Sequence, residues 1–310
     1  MLGGTWFVGR AITEALATAG HQLLVVHRGQ REPEGFPDVA HFHCERESWP
    51  QHRADFAAFR PDAVVDVSAG NGVGARAALA ALPPGLRLVT ISSCDVYRAF
   101  EGFRSDRQTD PLPVTERSPL RTSRYLEGPD WENLEIEETY LLADATVLRL
   151  GAVYGEHDYQ HRFEPVLRRI RAGRTRIPVG TGGFLFSRVY AGDVARAVLA
   201  ALDTPRAAGE CFNIVESQTA PMRLFYEQLV AAADAELVRV PDHALPPDLW
   251  ETGLIDQHLL MSPQKAADLL GWHAAADEET LRRCVRWHLD HPPADTDSDF
   301  SADDTAFGRG

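Results

Sequence analysis

The feature that most constrains this chain lies at its start, in the run Leu2-Gly3-Gly4-Thr5-Trp6-Phe7-Val8-Gly9-Arg10. The glycines lead straight into an apolar pattern of Ile12, Leu16 and Ala17, with Gly20 placed to stop a helix. Such a turn brings backbone N–H groups close to an anion, and the helix macrodipole favours negative charge at the same point. Gly3 and Gly4 permit the tight turn, and Gly9 permits close packing of helix on strand. Leu23-Leu24-Val25-Val26 then reads as a buried strand ending in His27-Arg28-Gly29. Turn, helix and strand together predict a dinucleotide-binding unit, with Gly3, Gly4, Thr5, Trp6, Phe7, Val8 and Gly9 around the pyrophosphate. The alternative is a structural βα turn, because glycine pairs mark many ordinary turns. A fingerprint of this kind should follow a strand, yet only Met1 and Leu2 precede Gly3. The rest of that strand is expected to be encoded upstream of Met1, with a truncated chain as the alternative.

Beyond the turn, strands alternate with helices. Residues 63–67, 86–91, 146–150 and 211–215 read as strands, and 75–82, 134–142 and 189–202 as helices, while 101–130 is rich in Pro, Arg, Asp and Ser and reads as loop. This alternation predicts an α/β fold with a doubly wound parallel sheet, on which ligands bind beyond the strand C-termini. Residues 1–155 with about 187–216 form the expected nucleotide-binding domain. Residues 156–186 with 217–292 form a smaller, mostly helical substrate lobe. The stretch 293–310 is acidic and rich in small residues, and is expected to be a disordered tail.

At 310 residues and 44% hydrophobic content, the chain can bury a large core. No apolar run reaches the length of a membrane span and no signal-peptide pattern is visible, so a cytoplasmic protein without membrane contact is expected. Cys44, Cys94, Cys211 and Cys284 are scattered, as reduced thiols are, and lack metal spacing. A formal net charge of −14 argues against nucleic acid as a partner. Lys265 is the only lysine in the chain.

Four motifs occur in one order. Gly3-Gly4-Thr5-Trp6-Phe7-Val8-Gly9 is similar to a G-x-x-G-x-x-G turn, with Trp6 where the middle glycine usually stands. Ser92-Ser93-Cys94-Asp95-Val96-Tyr97 resembles S-S-x-x-V-Y, Arg149 to Gly155 resembles R-x-x-x-V-Y-G, and Arg188 to Ala195 resembles R-x-Y-V-x-D-V-A. On these the chain resembles an extended or atypical short-chain dehydrogenase/reductase of the NAD-dependent epimerase/dehydratase group, over roughly residues 1–292. The resemblance implies a Rossmann-type sheet and catalysis by three groups. A Tyr exchanges the proton at the substrate oxygen, a Lys four residues on lowers the Tyr pKa and holds the nicotinamide ribose, and a Ser or Thr hydrogen-bonds the same oxygen. Ser93 matches the Ser; a strand-end cap is its other reading. In the register set by Leu134-Glu135-Ile136-Glu137-Glu138, Asn133 stands where Lys belongs and Pro129 where Tyr belongs. Tyr125 is the candidate surrogate acid, or else a loop aromatic over the cleft.

Cofactor choice rests on Arg28, which occupies the place of a ribose-binding carboxylate and could pair with a 2′-phosphate, favouring NADP over NAD unless it is a solvated surface arginine. Glu45 and Arg46 resemble the family's adenine-side residues, and Asp66, Ser68, Ala69 and Asn133 are expected at the cofactor cleft. Arg188 fits the substrate-phosphate position. His157 and Arg168 are expected at the cleft mouth, where arginines suit an anionic small molecule, although Arg168, Arg169, Arg171 and Arg174 also read as the solvated face of a helix. No metal site is expected: His157 and His161 are four residues apart without a supporting carboxylate or Cys. The leading function is an atypical oxidoreductase or isomerase on a small substrate, a nucleotide sugar being one candidate, for which a homodimer is allowed. The rival is a catalytically silent dinucleotide-binding sensor or scaffold.

Overall fold

Short β-branched runs, buried on both faces, build a parallel sheet. The computed structural model describes residues 1–30, 34–124, 131–231, 233 and 235–308. Its strands are β1 (Leu24–His27), β2 (Ala40–His43), β3 (Ala63–Asp66), β4 (Arg87–Ser93), β5 (Thr146–Leu150), β6 (Ala152–Tyr154), β7 (Arg176–Val179), β8 (Arg188–Tyr190), β9 (Cys211–Ile214) and β10 (Glu236–Arg239). The helices are α1 (Phe7–Thr18), α2 (Arg53–Phe59), α3 (Gly72–Ala81), α4 (Arg98–Arg104), α5 (Asn133–Leu141), α6 (Glu164–Arg171), α7 (Ala191–Asp203), α8 (Met222–Val230), α9 (Gln264–Leu270), α10 (Glu278–Asp290) and α11 (Ser301–Ala306).

Among the described residues the named strands all pair in parallel, and the main sheet runs β2-β1, then Leu2, then β3-β4-β5-β9. Leu2 stands where the sequence calls for a first strand, bridged to Val26 on one side and Asp66 on the other. Its N–H donates to the Val65 carbonyl (2.8 Å) and its carbonyl accepts the Val67 N–H (3.0 Å), while Gly3 N–H donates to Val26 (2.9 Å) and Val26 N–H to Met1 (2.8 Å). Helices α1 and α7 cover one face over a core of Ile12, Leu16, Val65, Leu148, Val194 and Phe212. Helices α3 and α5 cover the other over Val26, Val64, Ala75, Ala78, Ile136 and Tyr140. A third cluster, including Leu167, Ile177, Phe184, Phe225, Leu229 and Val285, fills the region where β7 pairs with β10 beside α6, α8 and α10. The strand order, with Leu2 at the point where the winding reverses, is that of a doubly wound fold.

Three expectations need correction. The helix expected to begin at 189 begins at Ala191, because Arg188–Tyr190 pairs with β6 first. The loop expected from 101 gives its first residues to α4. The acidic tail expected to be disordered is ordered where it is described: α11 docks through Asp303, which is 0% exposed. The Arg169 guanidinium donates to both Asp303 oxygens (2.6 and 2.9 Å) and both Asp248 oxygens (2.7 and 3.0 Å). Arg174 pairs with Asp304 at 2.9 Å, and the Phe300 ring lies against Arg168 and Arg174. The acidity that argued for disorder is what binds the tail to the arginines on and just after α6.

Candidate functional site

The glycine turn enters α1 through backbone that side chains resist. Gly3 has φ +77° and Gly4 φ +118°, in the region that favours glycine. A Cβ on Gly9 would sit 2.8 Å from Gly4 Cα and 3.0 Å from Gly4 N, which are backbone atoms that cannot swing aside. Thr13, one turn further along α1, donates to the carbonyls of Gly9 (2.9 Å) and Gly4 (3.1 Å) and so braces the turn from inside. Only its place on the inner face of α1 hints at this in the sequence. Trp6 caps α1 without a side-chain hydrogen bond, and the first turn holds no acidic residue. The N-terminal N–H groups and the positive end of the dipole therefore face a space that suits a phosphate. Gly9→Ala should destabilise the fold by about 1–3 kcal/mol, the usual cost of overpacking. Denaturant unfolding checks this, and an unchanged midpoint would contradict the close approach.

The cleft wall opposite is built on β3. Ser68 is within reach of the turn, since a Cβ on Gly3 would meet its Oγ at 2.9 Å, and Ala69 is buried beside it. Asp66 does not line the cleft as expected: it is 1% exposed and fully engaged below it. It accepts two hydrogen bonds from Arg46 (2.8 and 3.0 Å) and one from the Tyr140 hydroxyl. Arg46 also reaches Ser68 Oγ (2.6 Å) and lies over Trp49 at 4.0 Å, so it acts as a strut. Glu45 and Arg28 are exposed.

At the end of β4, Ser93 is half-buried, and its Oγ accepts the Asp95 N–H at 3.3 Å. The strand-end cap is thus met, and the same hydroxyl donates to Cys94 Sγ at 4.0 Å. Asn133 opens α5, is buried, and donates through Nδ2 to Asp95 Oδ2 at 2.7 Å. Arg121 donates to the Asp95 carbonyl at 2.7 Å and grips Glu132 with two nitrogens. Burial alone would raise the Glu132 carboxyl, but hydrogen bonds from Arg121 and the Leu134 N–H hold it below its ordinary value. Asn133 is therefore part of a buried polar network. Tyr125 and Pro129 lie outside the described residues.

The other motif residues form a second network. Ser92 donates to Glu137 (2.6 Å), Arg149 pairs with Glu137 through two bonds (2.6 and 2.9 Å) and reaches the Tyr97 oxygen (3.1 Å), and Tyr97 donates to Asn213 (2.6 Å). Burial raises the Tyr97 phenol well above its ordinary value. Burial likewise raises Tyr140, Tyr154, Tyr190 and Tyr226, and the first three donate to Asp66, Glu216 and Glu156. Lys265 is committed elsewhere, to Glu210 (2.7 Å) and the Cys211 carbonyl (2.8 Å).

On the substrate side, Arg168 is corrected: it donates to Asp248 (2.8 Å) and to the carbonyls of Asp297 and Asp299, holding the tail instead of facing a cleft. Arg188 is 6% exposed, lies over Phe225 at 3.9 Å and makes no ion pair among the described residues. Burial lowers its pKa, and burial raises the carboxyls of Glu216 and Glu251 near it. His157 sits by the glycine turn, in a cleft of about 780 Å³ lined also by Thr5, Trp6, Tyr159, His161 and Trp287. The Tyr159 ring lies 4.4 Å from that of Trp6, a contact missed in the sequence. Burial and then the Arg10 charge lower the His157 pKa.

The model of the NAD dependent epimerase/dehydratase family matches residues 1–214. The chain is 25% identical, over 337 aligned positions covering 100% of it and 84% of the relative, to the chloroplast stem-loop binding protein of 41 kDa b of Arabidopsis thaliana. It is 29% identical over 243 positions to the 2'-dehydrokanamycin reductase of Streptomyces kanamyceticus, covering 73% of this chain and spanning 64% of the reductase's length. Among solved structures, the dTDP-glucose 4,6-dehydratase of Bacillus anthracis in complex with NAD superposes with a TM-score of 0.69 at 15% identity, covering 94% of this chain and 96% of that one. At that identity the likeness speaks for the fold.

Proposed function

Because the chain belongs to the NAD-dependent epimerase/dehydratase family, we propose that it is an NAD(P)-binding enzyme of the epimerase, dehydratase or reductase type, acting on a small anionic substrate such as a nucleotide sugar. The glycine turn carries this reading: it is braced by Thr13, and its Trp6 cap spends no side-chain hydrogen bond on the N-terminus of α1. When bound, NAD(P) supplies a hydride donor or acceptor at the nicotinamide ring. The chain's own residues do the rest. Gly3, Gly4 and the first N–H groups of α1 would hold the pyrophosphate, and the Ser93 hydroxyl would donate to the reacting substrate oxygen. Tyr125 is the surrogate acid. Arg188, a buried guanidinium without a carboxylate partner among the described residues, is the counter-charge for a substrate phosphate. The dTDP-glucose dehydratase among the structural neighbours is in keeping with this substrate class. Stem-loop binding, which the chloroplast relative is named for, is opposed here by the net charge of −14. The four cysteines are free thiols, in keeping with the cytoplasm.

NADP is the proposed cofactor in preference to NAD, because the exposed side chain following β1 is Arg28 and not a carboxylate. Arg28→Ala should weaken NADP binding relative to NAD by about 1.5–3 kcal/mol, the value of a charge-assisted hydrogen bond. Calorimetric titration of both cofactors measures it, and equal losses would remove Arg28 from the site.

One observation favours a second reading, a silent dinucleotide binder. Asn133 is hydrogen-bonded to Asp95 where the family needs a lysine, and Lys265 is held on Glu210. Stopped-flow measurement of cofactor reduction with a panel of nucleotide sugars separates the two. Binding without any turnover selects the silent binder, while turnover abolished by Tyr125→Phe selects the enzyme.

A further inference from the structure

Three histidines meet on one face of the β1–β2 edge. The parallel register sets His27 opposite His43 and Val25 opposite His41. Because strand side chains alternate in direction, His41 and His43 share a face, and the register puts His27 on that same face. Phe42 and Cys44 point the other way, into the core behind β1. The His27 ring lies 5.0 Å from that of His41 and 4.6 Å from that of His43. One ring nitrogen from each of the three lies within 4.8 Å of the others. His27 is buried, His41 half-buried and His43 exposed, so the group combines a fixed wall with a partly open approach.

We propose that His27, His41 and His43 form a binding site for a borderline divalent transition-metal ion, of the class Zn²⁺, Ni²⁺ or Cu²⁺. Imidazole nitrogen suits these ions and does not suit Mg²⁺ or Ca²⁺. His27 Nε2 and His41 Nδ1 now stand 2.7 Å apart, a distance at which one proton is shared between two lone pairs. A metal ion takes the place of that proton. At Zn–N distances of about 2.0–2.1 Å, two tetrahedral ligands sit about 3.3 Å apart, so the rings must part by about half an ångström. The half-buried His41 ring can make that movement. Binding through His27 Nε2 leaves its proton on Nδ1, which then gives up the Gly29 N–H it accepts at 3.2 Å. Three imidazoles leave the fourth tetrahedral position to water. Local sequence gives only a His-x-His on β2; the third ligand comes from the strand register.

The test uses the full chain with any affinity tag removed. Titration calorimetry with ZnCl₂ and electron paramagnetic resonance with CuCl₂ should each report one site, the latter with nitrogen hyperfine structure. His41→Ala and His43→Ala, at a half-buried and an exposed position, should weaken Zn²⁺ binding at least 100-fold without lowering the melting temperature of the metal-free protein. His21→Ala, at another exposed histidine, should leave binding unchanged. On Zn²⁺ saturation the Gly29 amide resonance should shift. A stoichiometry well below one, or affinity that survives the loss of both His41 and His43, would overturn the site.

Discussion

Pro129→Tyr combined with Asn133→Lys should raise turnover of a nucleotide-sugar substrate by about 10²–10⁴-fold, the usual worth of positioned general acid–base catalysis. The wild-type chain has neither group at these places, and an arginine cannot stand in, because its pKa never allows proton exchange. The neighbourhood of position 133 can receive the change. The Asn133 amide already points at the Asp95 carboxylate, 2.7 Å away, so an ammonium there would meet an opposite charge. Removing the proline could let α5 begin earlier, and circular dichroism should accompany the kinetics. Tyr125→Phe in the wild-type background is the control. Ordinary wild-type turnover that is insensitive to Tyr125→Phe would refute this account and require a different acid.

Arg169→Ala should cost about 3–5 kcal/mol, the usual penalty for leaving a buried charge without its partner. Asp303 is fully buried and Asp248 is partly so, and both accept two hydrogen bonds from this one guanidinium. Differential scanning calorimetry should show a melting temperature lower by roughly 6–20 °C. Limited proteolysis should cut first near α11. A loss below about 1 kcal/mol would mean that the tail adds little to the fold. The effect has a pH signature. Burial raises Asp248, but hydrogen bonds from Arg169 and then Arg168 bring its carboxyl below the ordinary 3.8. A depressed carboxylate contributes stability above its unfolded pKa and loses it as pH falls through the folded value. The gap between wild type and Arg169→Ala should therefore narrow below about pH 3.8.

What the sequence revealed depended on how far apart the partners lie along the chain. The turn at Gly3, Gly4 and Gly9, the strand Thr146–Leu150 and the helix from Asn133 are set by neighbours within a few residues, and local pattern found them. The tail was misread because Asp303 is held by Arg169, 134 positions earlier. Arg168 was misplaced for the same reason, since composition cannot tell a solvated arginine from one that meets Asp248. Asp66 was assigned to the cleft from its place at a strand end, but Tyr140 and Arg46, both distant in sequence, draw it below the surface. The histidine triad was invisible because a strand register, and not a spacing, assembles it.

The chain of bonds from Ser92 through Glu137 and Arg149 to Tyr97 and Asn213 ties β4, α5, β5 and β9 together. Two of the signatures by which such a chain is recognised draw their polar residues from this bracing. Apart from Ser93, a signature of that kind is a surveyor's mark on the scaffold and carries little news of the chemistry. Chains can lose their proton-transfer pair, keep the mark and still be gathered with active relatives. A census made by signature therefore counts frames, and the working machines among them have to be counted at positions such as 129 and 133.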